Sequence, residues 1–298
     1  MTTLQSAPRA TTTGPSPARG RGRRSTRWLP TVVLLLGAAY CLVPVLWVLT
    51  AATKSPGELF TTVPFRPGTG FLDNLRGLFS YGGGEFGRWA LNSALYAGAG
   101  SLLSTAMSAA AGYGLAKFAF RGRRVLLVAL FGGVLMPGIT LAVPQYLLLS
   151  AVGLAGTYWS VLLPLLVNPF GIYLCWVFAS SSVPDETLEA ARLDGAGELR
   201  TFWAISVPMM LPGLVTVLLL QFIGIWNNFL LPFIMLSDQG RYPLTLGLYT
   251  LLARGSGESA LYSLAVTGAA VSVVPLVALM LVLQRFWRVD LLSGGVKG

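Results

Sequence analysis

The sequence predicts an all-α membrane protein with six transmembrane helices and both termini in the cytoplasm. Three observations carry that prediction. Of the 298 residues, 54% are hydrophobic and only 11% charged, against about 25% charged in an ordinary soluble domain. Five stretches contain no Asp, Glu, Lys or Arg at all: 28–53, 89–116, 125–184, 201–237 and 259–284. Each exceeds the roughly 18 apolar residues that mark a membrane-spanning helix. Backbone groups in hydrocarbon find no water, so such stretches must be helical. Finally, most of the 21 Lys and Arg fall in alternate inter-span segments, which the positive-inside bias assigns to the cytoplasm.

Residues 1–27 are rich in Thr, Pro, Gly and Arg and hold almost no large apolar side chains. Such a segment cannot bury a core, and it is expected to be a disordered cytoplasmic tail. Its arginines, Arg19 to Arg27, suit anionic lipid headgroups. The apolar run that follows is longer than the roughly 7–15-residue core of a signal peptide, so 28–53 is read as the first span. The bulky Tyr40 before Cys41 argues against a lipoprotein cleavage site.

An outer loop then holds Lys54, Pro56, Pro64 and Pro67, with a short helix expected at about 71–79. Span two is 89–116. A short basic inner loop, Lys117 to Arg124, leads to span three at 125–151. The segment Val152 to Thr157, with Gly153 and Gly156, breaks the long charge-free stretch and sets span four at 157–180. A larger inner loop covers 181–207, and span five runs over about 208–236. A second outer loop reaches Glu258, span six is 259–284, and residues 291–298 form a cytoplasmic tail after a membrane domain ending near 290.

Composition also bounds the chemistry. The net charge of +10 comes from residues at membrane edges, which speaks for topology and against nucleic acid. Cys41 and Cys175 both lie inside predicted spans, with no metal-ligand spacing, and read as packing residues. The chain has no histidine and no phosphate-binding Gly-rich loop ending in Gly-Lys-Ser/Thr. Neither acid–base catalysis nor a metal site therefore has evident residues, and no catalytic residue is expected. No ionisable group lies within the spans, unlike a typical ion-coupled carrier.

The inner loop 181–207 is the segment with the most chemistry. Ser181 or Ser182 can cap a helix, with Pro184 in its first turn and Asp185, Glu186 and Glu189 near its positive end. Gly195 and Gly197 break it. A second stretch places Leu199, Phe202 and Trp203 at helical spacing. The expected result is two short amphipathic helices meeting at a glycine corner. An acidic first half is ill suited to an anionic membrane surface and better suited to a socket on a partner protein. In span five, Gln221, Trp226, Asn227 and Asn228 are the polar group. Two readings of them stand open: hydrogen bonds and stacking to a passing sugar, or hydrogen bonds between helices. Gln145 and Asn168 read as structural.

Glu189-Ala190-Ala191 with Gly195 four residues after Ala191, followed by Ile205-Ser206-Val207-Pro208, resembles the cytoplasmic "EAA" loop of ATP-binding-cassette importer permeases. Val207 stands where Leu is usual. Asp194-Gly195-Ala196 and Phe202 are similar to the carbohydrate-importer variant. So are Asn92-Ser93, Trp226-Asn227-Asn228-Phe229 with Pro232, the run Pro243 to Leu248, and the ending Gly295-Val296-Lys297-Gly298, which resembles the maltose-type class. The resemblance implies a type I importer permease fold in a bacterial plasma membrane. It implies a cytoplasmic ATPase dimer, carrying the ATP and Mg, that grips Glu189, Ala190, Ala191, Asp194, Gly195, Ala196, Phe202 and Pro208. It further implies a second permease subunit, forming a heterodimer, and an extracytoplasmic solute-binding protein contacted by Leu246, Gly247, Leu248, Tyr249 and Thr250. The expected cargo is a sugar or oligosaccharide. The alternatives are a sugar phosphate such as glycerol phosphate or, in another class, an ion-coupled secondary transporter.

Overall fold

The computed structural model describes residues 28–255 and 258–293. The basic tail 1–27 and the final 294–298 lie outside the described residues. The chain divides into two compact units, 1–45 and 46–298. The described part of the first belongs to helix α1 (Trp28–Ala51), apolar over its whole length with Pro44 inside it. All other elements belong to the second unit, whose regular elements among the described residues are all helices.

A short helix, α2 (Phe71–Ser80), stands where the sequence placed one. Gly84, at φ +95°, turns the chain into α3 (Glu85–Lys117), the 33-residue axis of the unit. Its buried positions recur every three or four residues: Trp89, Asn92, Ser93, Tyr96, Ala97, Gly100, Ser101, Ser104, Thr105, Ser108, Ala109, Gly112 and Tyr113. That is the spacing of one helix face. Gly, Ala and Ser dominate it because the backbones approach closely there. A Cβ on Gly112 would lie 2.6 Å from both Cys175 Cβ and the Trp176 nitrogen.

The partners of that face are α7 (Pro169–Ser182) and α10 (Val207–Trp226). The core has two apolar ends. At one, Trp89, Tyr96, Leu162, Ile225, Trp226 and Leu251 pack together. At the other, Tyr113, Cys175, Leu188, Phe202 and Met210 do. Between them lies a polar seam of Ser104, Ser108 and Gln221, all buried.

Three expected spans are interrupted. Span three is two helices, α4 (Arg123–Leu135) and α5 (Gly138–Ala151), bent by 104°. Met136 takes an extended conformation ahead of Pro137, whose ring disfavours helical backbone before it. Span four is α6 (Tyr158–Leu166) followed by α7, with Asn168 extended ahead of Pro169. Span five stops at Trp226 and resumes as α11 (Leu230–Met235). The last long helices are α12 (Leu244–Arg254) and α13 (Ser259–Ser293).

Among the described residues, four helical segments are long and apolar enough to cross a membrane: 28–51, 158–182, 198–226 and 259–284. The bent α4–α5 pair makes a fifth if it is one span. The long α3 has no charge between Trp89 and Ala116, but its serines and glycines keep it below that apolar threshold. Those small and polar residues lie mostly on the buried face, while Leu91, Leu95, Leu102, Leu103 and Met107 stand on the exposed one.

Candidate functional site

The elbow after α7 is built by a helix stop. Helix α8 (Asp185–Leu193) begins after the extended Pro184. The expected serine cap is not made: Ser181 and Ser182 are the last residues of α7, and the Ser181 hydroxyl donates to the Val177 carbonyl at 3.0 Å. Lys117, at the end of α3, reaches Asp185 instead (Nζ to Oδ1, 2.7 Å). The lysine side chain is buried and the carboxylate exposed. The hydrogen bond and charge of Lys117 hold the Asp185 carboxyl below its ordinary pKa.

Leu188 and Ala191 face inward, and Leu188 joins the core around Tyr113 and Phe202. The helix then ends in a two-bond glycine stop. Ala196 N–H donates to the Ala191 carbonyl at 2.9 Å and Gly195 N–H to the Arg192 carbonyl at 3.0 Å. Gly195 takes φ +78°, the left-handed conformation this stop requires. The fixed spacing from Ala191 to Gly195 to Ala196 is thus the geometry of the stop itself. Arg192 spans the corner to Glu198 (Nε to Oε1, 2.9 Å), and that carboxylate holds the guanidinium more firmly charged.

Beyond the corner, α9 (Glu198–Thr201) runs into a wide π turn at 202–206 and on into α10. Val207 N–H donates to the Phe202 carbonyl, five residues back. The wide turn gives Pro208, exposed and without an N–H, a place in a continuing helix. Phe202 is buried, its ring centroid 5.1 Å from that of Tyr113.

Of the residues expected here, Glu189, Ala190, Asp194, Gly195 and Pro208 are exposed, Ala196 is half-buried, and Ala191 and Phe202 are buried. Among the described residues Glu189 has no ion-pair partner. The expected common face of Leu199, Phe202 and Trp203 is divided, with Phe202 inward and Leu199 and Trp203 outward. Leu193 was missed. It is 90% exposed beside the corner, and with Leu199 gives the elbow an unsheltered apolar tip. Helical spacing carried that signal: Leu188 and Ala191 set the inner face, which leaves Leu193 outside it.

At the other end of α3, Asn92 and Ser93 form a clamp. Asn92 Nδ2 donates to the Gly240 and Tyr242 carbonyls (2.9 and 3.0 Å), and its Oδ1 accepts from the Tyr158 hydroxyl at 2.9 Å. Ser93 Oγ accepts from Leu244 N–H at 2.8 Å. Gly247 meets the Trp89 ring so closely that a Cβ there would lie 2.2 Å from it. Of the residues expected to touch a binding protein, Leu246, Gly247 and Leu248 are therefore buried, Thr250 is half-buried and Tyr249 is exposed. Tyr249 completes an aromatic trio with Phe229 and Phe233, at centroid distances of 4.9 and 5.9 Å.

The polar residues of the fifth span separate. Gln221 Oε1 accepts from Asn168 Nδ2 at 3.1 Å, while Asn168 Oδ1 caps Gly171 N–H at 2.8 Å. Trp226 donates to the Ser272 carbonyl at 3.2 Å and stacks on Phe222. Asn228 caps α11 through Leu231 N–H. Asn227 is exposed, its amide donating to the Ile223 carbonyl. A cleft of about 510 Å3 opens beside the α4–α5 bend, with Gln145, Asn168 and Asn228 as its polar lining.

Comparison with known proteins follows the same lines. The family model for "binding-protein-dependent transport system inner membrane component" matches residues 104–288. The arabinooligosaccharides transport system permease protein AraQ of Halalkalibacterium halodurans is 32% identical over 274 residues, covering 91% of this chain and 96% of that protein. The trehalose transport system permease protein SugB of Mycobacterium tuberculosis is 31% identical, covering 93% of this chain and 99% of its own length. Among solved structures, a bacterial ABC transporter involved in alginate import superposes with a TM-score of 0.76 at 23% identity, over 91% of this chain and 99% of that one. That likeness bears on the fold alone.

Proposed function

The chain belongs to the binding-protein-dependent transport system inner membrane components, and from that premise we propose that it is the permease subunit of an ATP-driven importer of sugars or oligosaccharides. The relatives' names, which speak of arabinooligosaccharides and trehalose, support carbohydrate as cargo. The observation that carries the mechanism is the elbow. A rigid glycine stop presents Glu189, Ala190 and Leu193 outward, while Leu188 and Phe202 bind the elbow to the ends of α3 and α10. A partner ATPase that grips the exposed side moves the helices through the buried side.

In this reading the chain crosses the membrane six times, α3 and the bent α4–α5 pair included, with both termini and the elbow in the cytoplasm. ATP and Mg are held by the ATPase chains. Glu189 forms a charge-assisted contact with a basic residue of that ATPase. A second permease completes the pathway, which the cleft with Gln145 and Asn228 adjoins. A solute-binding protein delivers the sugar at the α12 end, where Tyr249 and Asn227 are among the accessible side chains. Gln221 and Trp226 hold helices together.

Two substitutions test the elbow. Glu189→Ala removes the docking charge, and Gly195→Asp puts a Cβ and an added carboxylate on a left-handed corner that glycine occupies without strain, at a cost of about 1 kcal/mol. Both should abolish sugar uptake, measured with labelled substrate in cells, at unchanged membrane abundance. Normal uptake by both would remove the docking role.

A further inference from the structure

The segment between Ala51 and Phe71 is a rigid loop with apolar side chains directed outward, and no role described so far uses it. It is pinned from within. Lys54 is 2% exposed, and its ammonium donates across the loop to the Val63 carbonyl at 2.8 Å. The Thr53 hydroxyl accepts from Gly68 N–H at 2.9 Å, and the Thr53 carbonyl from Gly70 N–H at 2.7 Å. Asn74 of α2 donates to the Ala52 and Lys54 carbonyls. Gly68 is required by this closure, since a Cβ there would lie 2.6 Å from the Thr53 carbonyl oxygen.

Folding so tightly would ordinarily bury the large apolar residues. Leu59 does go inside, against Ala51 and Val266. Phe60, Val63 and Phe65 stay exposed, Val63 at 67%. Pro64 and Pro67 stiffen the same stretch and Arg66 lies among them, also exposed.

The level of the loop identifies what covers these residues. It starts where the charge-free run 28–53 ends. Its other support is the first turn of α13, where the charge-free run 259–284 begins: the Phe60 ring lies 5.1 Å from that of Tyr262, and Trp47 and Tyr262 flank the cluster of Ala51, Leu59 and Val266. The loop is therefore fastened at the water boundary of two hydrophobic segments at once. Aromatic side chains concentrate at that depth, with an apolar body in the acyl boundary and basic groups at the headgroups.

We propose that Phe60, Val63 and Phe65 insert into the headgroup–acyl boundary of the bilayer, so that the loop is a membrane-surface anchor holding the ends of α1 and α13 at fixed depth. The inference needs only that the two helices cross a membrane, and it holds whatever the cargo and whichever side the loop faces.

The test uses the assembled transporter in lipid nanodiscs. Cys41→Ala leaves only Cys175, which is fully buried. Val63→Cys and, separately, Phe60→Cys then receive an environment-sensitive fluorophore, with Asp194→Cys at the elbow as reference. Nitroxide placed near the headgroup of the lipids should extinguish most of the emission at positions 60 and 63 and leave position 194 bright. Aqueous iodide should do the reverse. Equal response of all three positions to the lipid nitroxide would overturn the anchor. So would emission at 60 and 63 that ignores the lipid quencher but changes when a solute-binding protein is added, which would assign the patch to protein instead.

Discussion

Individual residues here are fixed by how near two backbones come. Gly112 lets α3 touch α7 at Cys175, and its replacement by Ala would push the helices apart. Overpacking of that kind costs about 1–3 kcal/mol. Gly114, two residues on in the same helix, has open space at its Cβ position, and Ala there should be neutral or mildly stabilising. Thermal unfolding of the purified complex should therefore fall for Gly112→Ala and hold for Gly114→Ala. Equal behaviour would mean that α3 and α7 are not in contact. Neither role was legible beforehand, because one sequence shows a glycine without the neighbour it admits. Gly195 differed: it sits at the end of a helical pattern with an alanine on either side of the stop, and its corner was readable from spacing alone.

Elements were legible where a boundary has a chemical marker. Charge-free stretches delimited the long helices, and the α2 helix was found within a residue of its end. Their internal breaks were not found, because absence of charge does not register a bend. Met136 and Asn168 each precede a proline, but Pro44, Pro144, Pro164, Pro212 and Pro275 lie within unbroken helices, so proline alone does not mark the bends. The elbow was legible as two short helices with a glycine corner, while its tether to α3 was not, since Lys117 and Asp185 are 68 positions apart. That tether has a definite pH dependence. A carboxyl whose pKa is lowered in the folded state stabilises it at neutral pH, through the ordinary carboxylate range, and stops doing so as pH falls through the lowered value. Spin labels at Ala119 and Ala190, both exposed, should keep a narrow distance distribution down to that acid limit and broaden below it. Asp185→Asn should broaden it at every pH. A narrow distribution in Asp185→Asn would show that the ion pair does not hold the elbow.

For the whole molecule, the membrane class and the importer family were readable from composition, charge placement and one loop. The six-span count relied on α3, whose small polar residues belong to packing between helices. Orientation can be checked directly. With Cys41 replaced, a cysteine at Asp194 should resist a membrane-impermeant maleimide in intact cells, whereas one at Asp73 on α2 should react. The reverse pattern would place the elbow beyond the reach of any cytoplasmic ATPase. Helix α3 runs unbroken for 33 residues. At about 1.5 Å per residue it measures about 50 Å. It is fastened near its start by Asn92 to the chain ahead of α12 and by Ser93 to the first residue of α12, and at its last residue by Lys117 to the elbow. A rod gripped at both extremities transmits displacement without taking it up. In the proposed permease, a displacement of the elbow is therefore carried along α3 from Lys117 to the clamp at Asn92 and Ser93.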